Sequence, residues 1–166
     1  MELVVTRFDH PDARKLNDAV QAEYAERYGD VGDVTPLAPA MFDPPRGLYL
    51  LVYDPLGRPV GTGGWRGRDT GDAEGYRDGD AEIKRMYVVA EARGLGLARR
   101  VLARLEDDAR RAGRLRMVLE TGTEQPEAMN LYASSGYRML PREEHFGVYR
   151  DSPKSRCFSK SLLPDA

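Results

Sequence analysis

Apolar side chains recur along this chain at two different spacings, one typical of helices and one of strands. Leu16, Val20 and Tyr24 repeat every four positions, which predicts an amphipathic helix that ends near Gly29. Runs rich in branched and aromatic residues predict strands. The predicted helices cover 11–28, 95–112 and 126–135, and the predicted strands cover 2–8, 47–53, 58–65, 81–89, 115–121, 137–141 and 156–162.

The order of these elements indicates the fold class. A strand, a helix, a hairpin, a long strand, a helix, a strand, a helix and two final strands make an α/β arrangement with a mixed central sheet. The 166 residues suit a single domain over 1–166. The proline-rich stretch 29–46 predicts a loop with one short helical turn. The acidic, glycine-rich stretch 67–80 predicts a mobile loop with little that could pack.

Charge and hydropathy argue against two classes of partner. The chain carries 27 acidic and 25 basic residues, with a net charge of −2, so no overall field favours nucleic acid or an anionic membrane. Arginines cluster within 93–116, but nearby acids favour a solvated helix face. No apolar stretch approaches the roughly 20 residues of a membrane span. We therefore expect a cytoplasmic protein with no membrane or nucleic-acid partner, and we expect Cys157 to be a core thiol.

A glycine-bearing turn joins the predicted strand 81–89 to the helix that follows it. Residues 93–98 read Arg-Gly-Leu-Gly-Leu-Ala. The first turn of a helix has N–H groups without intrahelical partners, and glycines let an anion approach them, so this turn suits a phosphate. A P-loop would need Lys-Ser/Thr after its last glycine, and a dinucleotide fold would need a glycine at Arg99. A connection without any ligand stays open on this motif alone.

Two motifs in the second half of the chain resemble those of the GNAT superfamily, the acyl-CoA-dependent N-acyltransferases. Arg93, Gly96 and Ala98 meet the family pattern Arg/Gln-x-x-Gly-x-Gly/Ala. Residues 128–137 resemble the family helix Ala-x-x-Leu-Tyr-x-x-x-Gly-Phe/Tyr. Two matches in the correct order are more specific than either alone, and together they cover roughly residues 80–140.

The resemblance implies a mostly antiparallel central sheet of six to seven strands flanked by helices. Two parallel strands would splay apart and bind acetyl-CoA between them. The implied reaction is transfer of the acetyl group to a primary amine, on a small molecule or a peptide, within a ternary complex and without a metal. A homodimer is reasonable on the same grounds. A non-catalytic CoA-binding sensor or interaction module stays open as an alternative, because a fold does not establish turnover.

The same resemblance implies a set of cofactor contacts in three segments. Strand residues would offer backbone groups to the pantetheine chain, and the turn would hold the pyrophosphate. The family's second motif carries an asparagine where this chain has Gln125, so that amide contact carries over with one extra methylene. The implied cofactor residues are Met86, Tyr87, Val88, Arg93, Gly94, Leu95, Gly96, Leu97, Ala98, Arg99, Gln125 and Tyr132.

Tyr132 matches the tyrosine that lies near the CoA sulfur in many relatives and serves as general acid. A phenol with a pKa of about 10 stays protonated at neutral pH and can donate to the departing thiolate. The alternative is that Tyr132 only packs its helix against the sheet. Tyr28 and Phe42 belong to the region that borders the acceptor pocket in the family, whereas Tyr24 is more consistent with the core.

Glu82 is the candidate general base, because many relatives place a glutamate at this point of the long strand. Strict alternation puts it on one face with Lys84 and the other even-numbered residues of the strand. An ion pair with Lys84 or Arg85 is therefore equally consistent. Glu120 and Thr121 end the neighbouring strand and are rivals for the base role at the acceptor side.

Overall fold

A computed structural model describes residues 1–29 and 32–164. Within these residues, seven strands and three α-helices follow one another in the expected order. They are β1 (Glu2–Thr6), α1 (Pro11–Tyr28), β2 (Gly47–Tyr53), β3 (Pro59–Arg68), β4 (Asp80–Val88), α2 (Leu97–Arg111), β5 (Arg116–Gly122), α3 (Pro126–Ser134), β6 (Arg138–Met139) and β7 (Ser155–Ser161). Short 3-10 helices cover Pro39–Phe42, Thr70–Asp72, Ala90–Ala92 and Arg142–Glu144.

The strands form one sheet in the order β1-β2-β3-β4-β5-β7-β6. β4 and β5 run parallel, and the other neighbouring pairs are antiparallel. The parallel pair is joined by α2, as a parallel connection requires a crossover segment. The predicted mixed, mostly antiparallel sheet flanked by helices is confirmed.

Local signals fix both ends of α1. Pro11 opens the helix, and the His10 ring accepts a hydrogen bond from the Asp12 N–H at 3.0 Å, which satisfies one of the free donors of the first turn. At the other end Gly29 takes a left-handed conformation with φ of 69°, and its N–H donates to the Ala25 carbonyl at 2.8 Å. The predicted helix 11–28 is confirmed.

Strand β2 contributes side chains to two apolar clusters, one on each face of the sheet. Leu48, Leu50 and Val52 face the cluster that α2 and α3 cover, whereas Tyr49 and Leu51 face the cluster under α1. Alternation along one strand therefore joins both helical layers to the sheet. No helix in the described part of the chain combines the length and apolarity needed to cross a membrane.

A third apolar cluster includes part of the predicted loop 67–80. Tyr76 is buried and packs against Phe146, with ring centroids 5.4 Å apart. The prediction that this segment has little to pack is therefore wrong, because its one aromatic side chain anchors it. Cys157 lies in the same cluster and is fully buried, which confirms the expected core thiol. Burial raises the pKa of Cys157 to about 12.

Candidate active site

The parallel strands β4 and β5 pair over a short stretch and then separate. Their register runs from Asp80 opposite Arg116 to Glu82 opposite Val118, and among the described residues it extends no further. β4 nevertheless continues to Val88. A cavity of about 350 Å³ lies between the separated strand ends, with walls from α1, α3, the segment after α1 and the segment before β7. Its volume falls within the range typical of small-molecule sites.

A bulge at Arg85 interrupts the alternation of β4. Arg85 and Met86 together lie opposite a single residue of β3, and Arg85 has a φ of 61°. An extra residue re-aims the side chains around it. As a result Lys84, Arg85 and Met86 all line the cavity. The prediction of strict alternation along this strand is wrong for this physical reason.

Glu82 lies in a closed polar cluster beneath the cavity. Its side chain is 1% exposed. Arg66 lies opposite it on β3 and donates from Nε to Oε1 at 2.8 Å, and the Tyr76 hydroxyl donates to Oε2 at 2.8 Å. Glu82 is not one of the cavity-lining residues. The structure therefore gives Glu82 an ion pair with Arg66 rather than with Lys84 or Arg85, and its role as general base stays a prediction.

Glu120 lies in the cavity wall, on β5. The Tyr149 backbone N–H donates to Oε2 at 3.2 Å. Burial, with smaller contributions from the charges of Glu82 and Asp33, raises the pKa of Glu120 to about 8, although the charge of Lys84 opposes this rise. A carboxyl group with such a pKa can take up and release a proton near neutral pH.

Tyr132 projects from α3 and lines the same cavity. Its ring packs against Tyr137 and Phe158, with centroid distances of 5.6 and 6.2 Å. No hydrogen-bond partner for its hydroxyl is present among residues 1–29 and 32–164. Burial raises the pKa of Tyr132, so the phenol is protonated at neutral pH. The geometry combines the packing role and access to the cavity.

The remaining residues predicted for the acceptor side, and the predicted cofactor contact Gln125, divide between cavity and core. Tyr28, Thr121 and Gln125 line the cavity, and the Tyr28 hydroxyl donates to the Gln125 side-chain oxygen at 3.0 Å. Tyr24 lines it as well, although the sequence favoured a core position. Phe42 is 1% exposed and packs in the apolar cluster under α1, away from the cavity lining.

Asp33 brings a carboxylate to two cations of the cavity wall. Its Oδ2 lies 3.1 Å from Lys84 Nζ and 3.6 Å from the Arg85 guanidinium. Thr35 adds a hydroxyl hydrogen bond of 2.6 Å to Oδ1. Burial opposes ionisation of Asp33, but Lys84, Thr35 and Arg85 outweigh it and lower its pKa to about 2. Asp33 is therefore ionised at neutral pH.

The glycine-bearing turn after β4 leaves its amides open. Gly94 and Gly96 have φ of 82° and 76°, so the backbone conformation at both positions favours glycine. No hydrogen bond from the N–H groups of residues 94–99 occurs in the described chain. A Cβ at either glycine would meet nothing within 4 Å. Leu97 is buried and anchors the start of α2, whereas Leu95 is exposed.

The two arginines of the turn contact neighbouring elements. Arg93 donates from Nε to the Val88 carbonyl at 2.9 Å and lies over the Tyr87 ring at 5.8 Å. Arg99 donates to the Ser134 hydroxyl at 2.7 Å, which connects the start of α2 with the end of α3. Arg93 also forms an ion pair with Glu23 at 3.5 Å, and Arg99 adds a positive charge to the first turn of α2.

Sequence reasoning missed part of the cavity wall. It treated Lys84 and Arg85 only as partners of Glu82, because periodicity could not reveal the bulge. It gave no role to Asp33 or Tyr149, which lie in irregular segments without a pattern. Among the described residues, no group of three His, Cys, Asp or Glu side chains could hold a metal ion.

The sequence matches the acetyltransferase (GNAT) family model over residues 13–137. It is 41% identical to an IAA acetyltransferase of Azospirillum brasilense over 91 residues, which cover 55% of this chain and 56% of that protein. The chain thus matches just over half the length of that relative. It is 29% identical over 129 residues to the uncharacterized N-acetyltransferase YsnE of Bacillus subtilis (strain 168), covering 74% of this chain and 83% of the relative.

Solved structures show the same fold. A provisionally assigned acyl-CoA N-acyltransferase from Klebsiella pneumoniae superposes with a TM-score of 0.75 and 26% identity, over 98% of this chain and 97% of the other. An aminoglycoside 6'-N-acetyltransferase complexed with coenzyme A superposes with a TM-score of 0.65 and 16% identity, over 100% and 99% of the two chains.

Proposed function

Because the chain belongs to the acetyltransferase (GNAT) family, we propose that it transfers the acetyl group of acetyl-CoA to a primary amine. The observation that carries this proposal is the cavity between the separated strands, which holds a proton acceptor, Glu120, and a proton donor, Tyr132, in one space. The family and its named relatives support the acyltransferase class. The donor, the acceptor and the residue roles below belong to the proposal.

The proposed cofactor site is based on two sets of backbone groups that lack hydrogen-bond partners. The amides of residues 94–99 have no partner in the described chain, and the open side of Gly94 and Gly96 leaves room for a pyrophosphate. β4 beyond Glu82 lacks its parallel neighbour, so its backbone can bind an extended pantetheine chain as an added strand. Gln125 and Met86 line the space into which the thioester end would reach.

The proposed chemistry needs one proton acceptor and one proton donor. The thioester supplies an electrophilic acetyl carbon. Glu120 takes the proton of the amine, whose nitrogen forms the new C–N bond as the C–S bond breaks, and Tyr132 gives a proton to the departing sulfur. Glu120 is preferred to Glu82 because it reaches the cavity, whereas both oxygens of Glu82 accept hydrogen bonds from Arg66 and Tyr76.

The broader expectations belong to the same proposal. The acceptor is a small-molecule or peptide amine, the protein is cytoplasmic, and two copies form a homodimer. Neither a nucleic acid nor a membrane takes part. Size-exclusion chromatography with light scattering measures the oligomeric state, and a mass equal to that of one protomer would contradict the dimer.

Calorimetric titration with acetyl-CoA and with CoA tests the cofactor site. Gly96→Glu puts a carboxylate among the open amides and should abolish micromolar binding. Gly57→Glu is a matched control, because Gly57 also has a positive φ, of 77°, and free space, but lies in the β2–β3 turn. Equal loss of binding in both variants, or no binding by the wild type, would remove the proposed site.

Release of free thiol from acetyl-CoA in the presence of amines tests turnover. The wild type should release thiol only with an acceptor, and Tyr132→Phe should retain binding but lose most of the transfer rate. Binding without transfer across a broad amine panel would instead support a CoA-binding sensor.

A further inference from the structure

Two neighbouring cations lie in the cavity wall, well away from water. Lys84 and Arg85 line the cavity, and their side chains are only 8% and 6% exposed. The bulge at Arg85 brings both side chains to the same space, which ordinary strand alternation would separate. Buried cations of this kind are rare unless they are paired.

Asp33 is the one carboxylate within ion-pair distance of these cations in the described chain. It lies 3.1 Å from Lys84 and 3.6 Å from Arg85, so one negative charge serves two positive ones. Among the described residues Lys84 makes one further hydrogen bond, a long one of 3.5 Å to the Thr35 hydroxyl. The other nearby carboxylate, Glu120, is uncharged for much of the time at neutral pH because burial raises its pKa to about 8. The wall therefore carries excess positive charge.

Arg85 differs from Arg66 and Arg116, two other arginines of the sheet. Arg66 donates to Glu82 at 2.8 Å, and the half-buried Arg116 binds Asp80 through two hydrogen bonds of 2.8 and 3.0 Å, although its Nη1 is also buried without a partner. The Arg85 guanidinium makes no hydrogen bond in the described chain, and its Nε is buried without a partner. Guanidinium has five N–H donors, and buried donors are normally satisfied.

A carboxylate is the group that these vacant donors fit. Its two oxygens match the fork of a guanidinium, and the adjacent ammonium of Lys84 adds a second charge-assisted bond. We propose that the acceptor is an amino-acid-type substrate, a primary amine that also carries a carboxylate, and that Arg85 and Lys84 bind this carboxylate. The inference rests on the proposed function. Binding at this end of the substrate would leave the amine free to approach Glu120 and Tyr132, which line the same cavity.

The test compares acceptors that differ only in the carboxylate. Thiol release from acetyl-CoA is measured with the twenty common L-amino acids, their carboxamides and the corresponding decarboxylated amines. The best amino acid should exceed its own carboxamide by about tenfold to a hundredfold in kcat/KM, because the carboxamide leaves the cations unpaired. Arg85→Gln and Lys84→Gln should each remove most of that preference through KM rather than kcat.

Controls separate recognition from folding. Arg85→Gln should add no backbone strain, since Arg85 already adopts a positive φ as a non-glycine residue. Lys15→Gln removes an exposed cation of α1 and should leave the preference unchanged. Calorimetry adds a readout without turnover: the CoA-loaded protein should bind the N-acetylated amino acid more tightly than its carboxamide, and Arg85→Gln should abolish the difference.

Three outcomes would overturn the proposal. In the first, carboxamides or simple amines have the same kcat/KM as the amino acids, and the N-acetylated amino acid and its carboxamide bind equally tightly. Arg85→Gln could lower transfer to all amines by the same factor. Transfer from succinyl-CoA to amines without a carboxylate could depend on Arg85, which would assign the carboxylate to the acyl donor. In each case acetyl-CoA binding at the glycine turn could persist, so failure here is distinct from failure of the proposed function.

Discussion

Glu82 is fully buried on β4 and Glu120 is half-buried on the neighbouring strand β5, and the two carboxylates also differ in their partners. Arg66 and Tyr76 satisfy both oxygens of Glu82 at 2.8 Å. In the described chain Glu120 has one backbone donor, Tyr149, and it also faces the cavity and the charge of Lys84. A fully paired carboxylate stabilises structure, whereas an underpaired one retains a proton near neutrality. The hydrogen-bond partners of each carboxylate, and not only its burial, therefore distinguish a structural role from a catalytic one.

The largest expected effect comes from replacing the cavity carboxylate. Glu120→Gln keeps the size of the side chain and an acceptor for the Tyr149 N–H, but it cannot take the amine proton. We expect kcat/KM to fall by about 100-fold to 10,000-fold, measured by thiol release. Acetyl-CoA titration should remain close to wild type, and the variant should unfold at a temperature no lower than that of the wild type. A variant that retains more than half the activity would contradict the assignment of Glu120 as base.

Removing the paired carboxylate should affect stability instead. Glu82→Ala leaves the buried Arg66 guanidinium without its partner, which costs about 3–5 kcal/mol in the free energy of unfolding. Denaturant unfolding measures this loss. The fraction that stays folded should keep kcat/KM within a few-fold of wild type, with Glu120→Gln as the comparison. A large fall in kcat/KM at unchanged stability would reverse the roles of the two carboxylates.

Tyr76→Phe weakens the same pair more gently. It removes the hydroxyl donor to Glu82 Oε2 while keeping the ring packed on Phe146. The expected loss is about 1–3 kcal/mol in the free energy of unfolding, with no change in the pH dependence of transfer. A change in that pH dependence would mean that the Glu82 cluster takes part in proton transfer.

The last effect is a pH-dependent gain in stability. The pKa of Glu120 rises from 4.5 to about 8 on folding, so the folded state binds more protons between these values and stability falls as pH rises through them. Glu120→Gln removes this loss. The melting temperature of the variant should match that of the wild type at the acidic end of this pH range and exceed it toward the basic end. Each kcal/mol gained in the free energy of unfolding corresponds to about 2–4 °C. A constant difference across this range would contradict the raised pKa.

The helices and the order of elements along the chain were accessible from the sequence because they depend on local signals. The spacing of Leu16 and Val20, with Pro11 and Gly29 at the ends, predicted α1 over 11–28, the range observed. The proposed cofactor turn could be located for the same reason, since its two glycines, Gly94 and Gly96, lie two positions apart in the chain.

The acceptor side of the cavity could not be predicted in the same way. The bulge at Arg85 arises from pairing between β3 and β4, and no local pattern marks it. The partner of Glu82 is Arg66, sixteen positions earlier in the chain but directly opposite in the sheet. Asp33 reaches Lys84 from a segment without regular structure. Contacts between distant segments decide these groups, and periodicity carries no information about them.

The most direct test of the account is the pH dependence of kcat/KM for acetyl transfer in the wild type, Glu120→Gln and Glu82→Gln. The base must be ionised to accept a proton, so wild-type kcat/KM should rise with pH through about 8, the pKa of Glu120. Glu82→Gln should keep this rise with its midpoint at lower pH, because the Glu82 charge helps to raise the pKa of Glu120, and Glu120→Gln should lose the rise together with most of the rate. If Glu120→Gln keeps the rise and Glu82→Gln loses it, the proposed division between the two carboxylates is wrong.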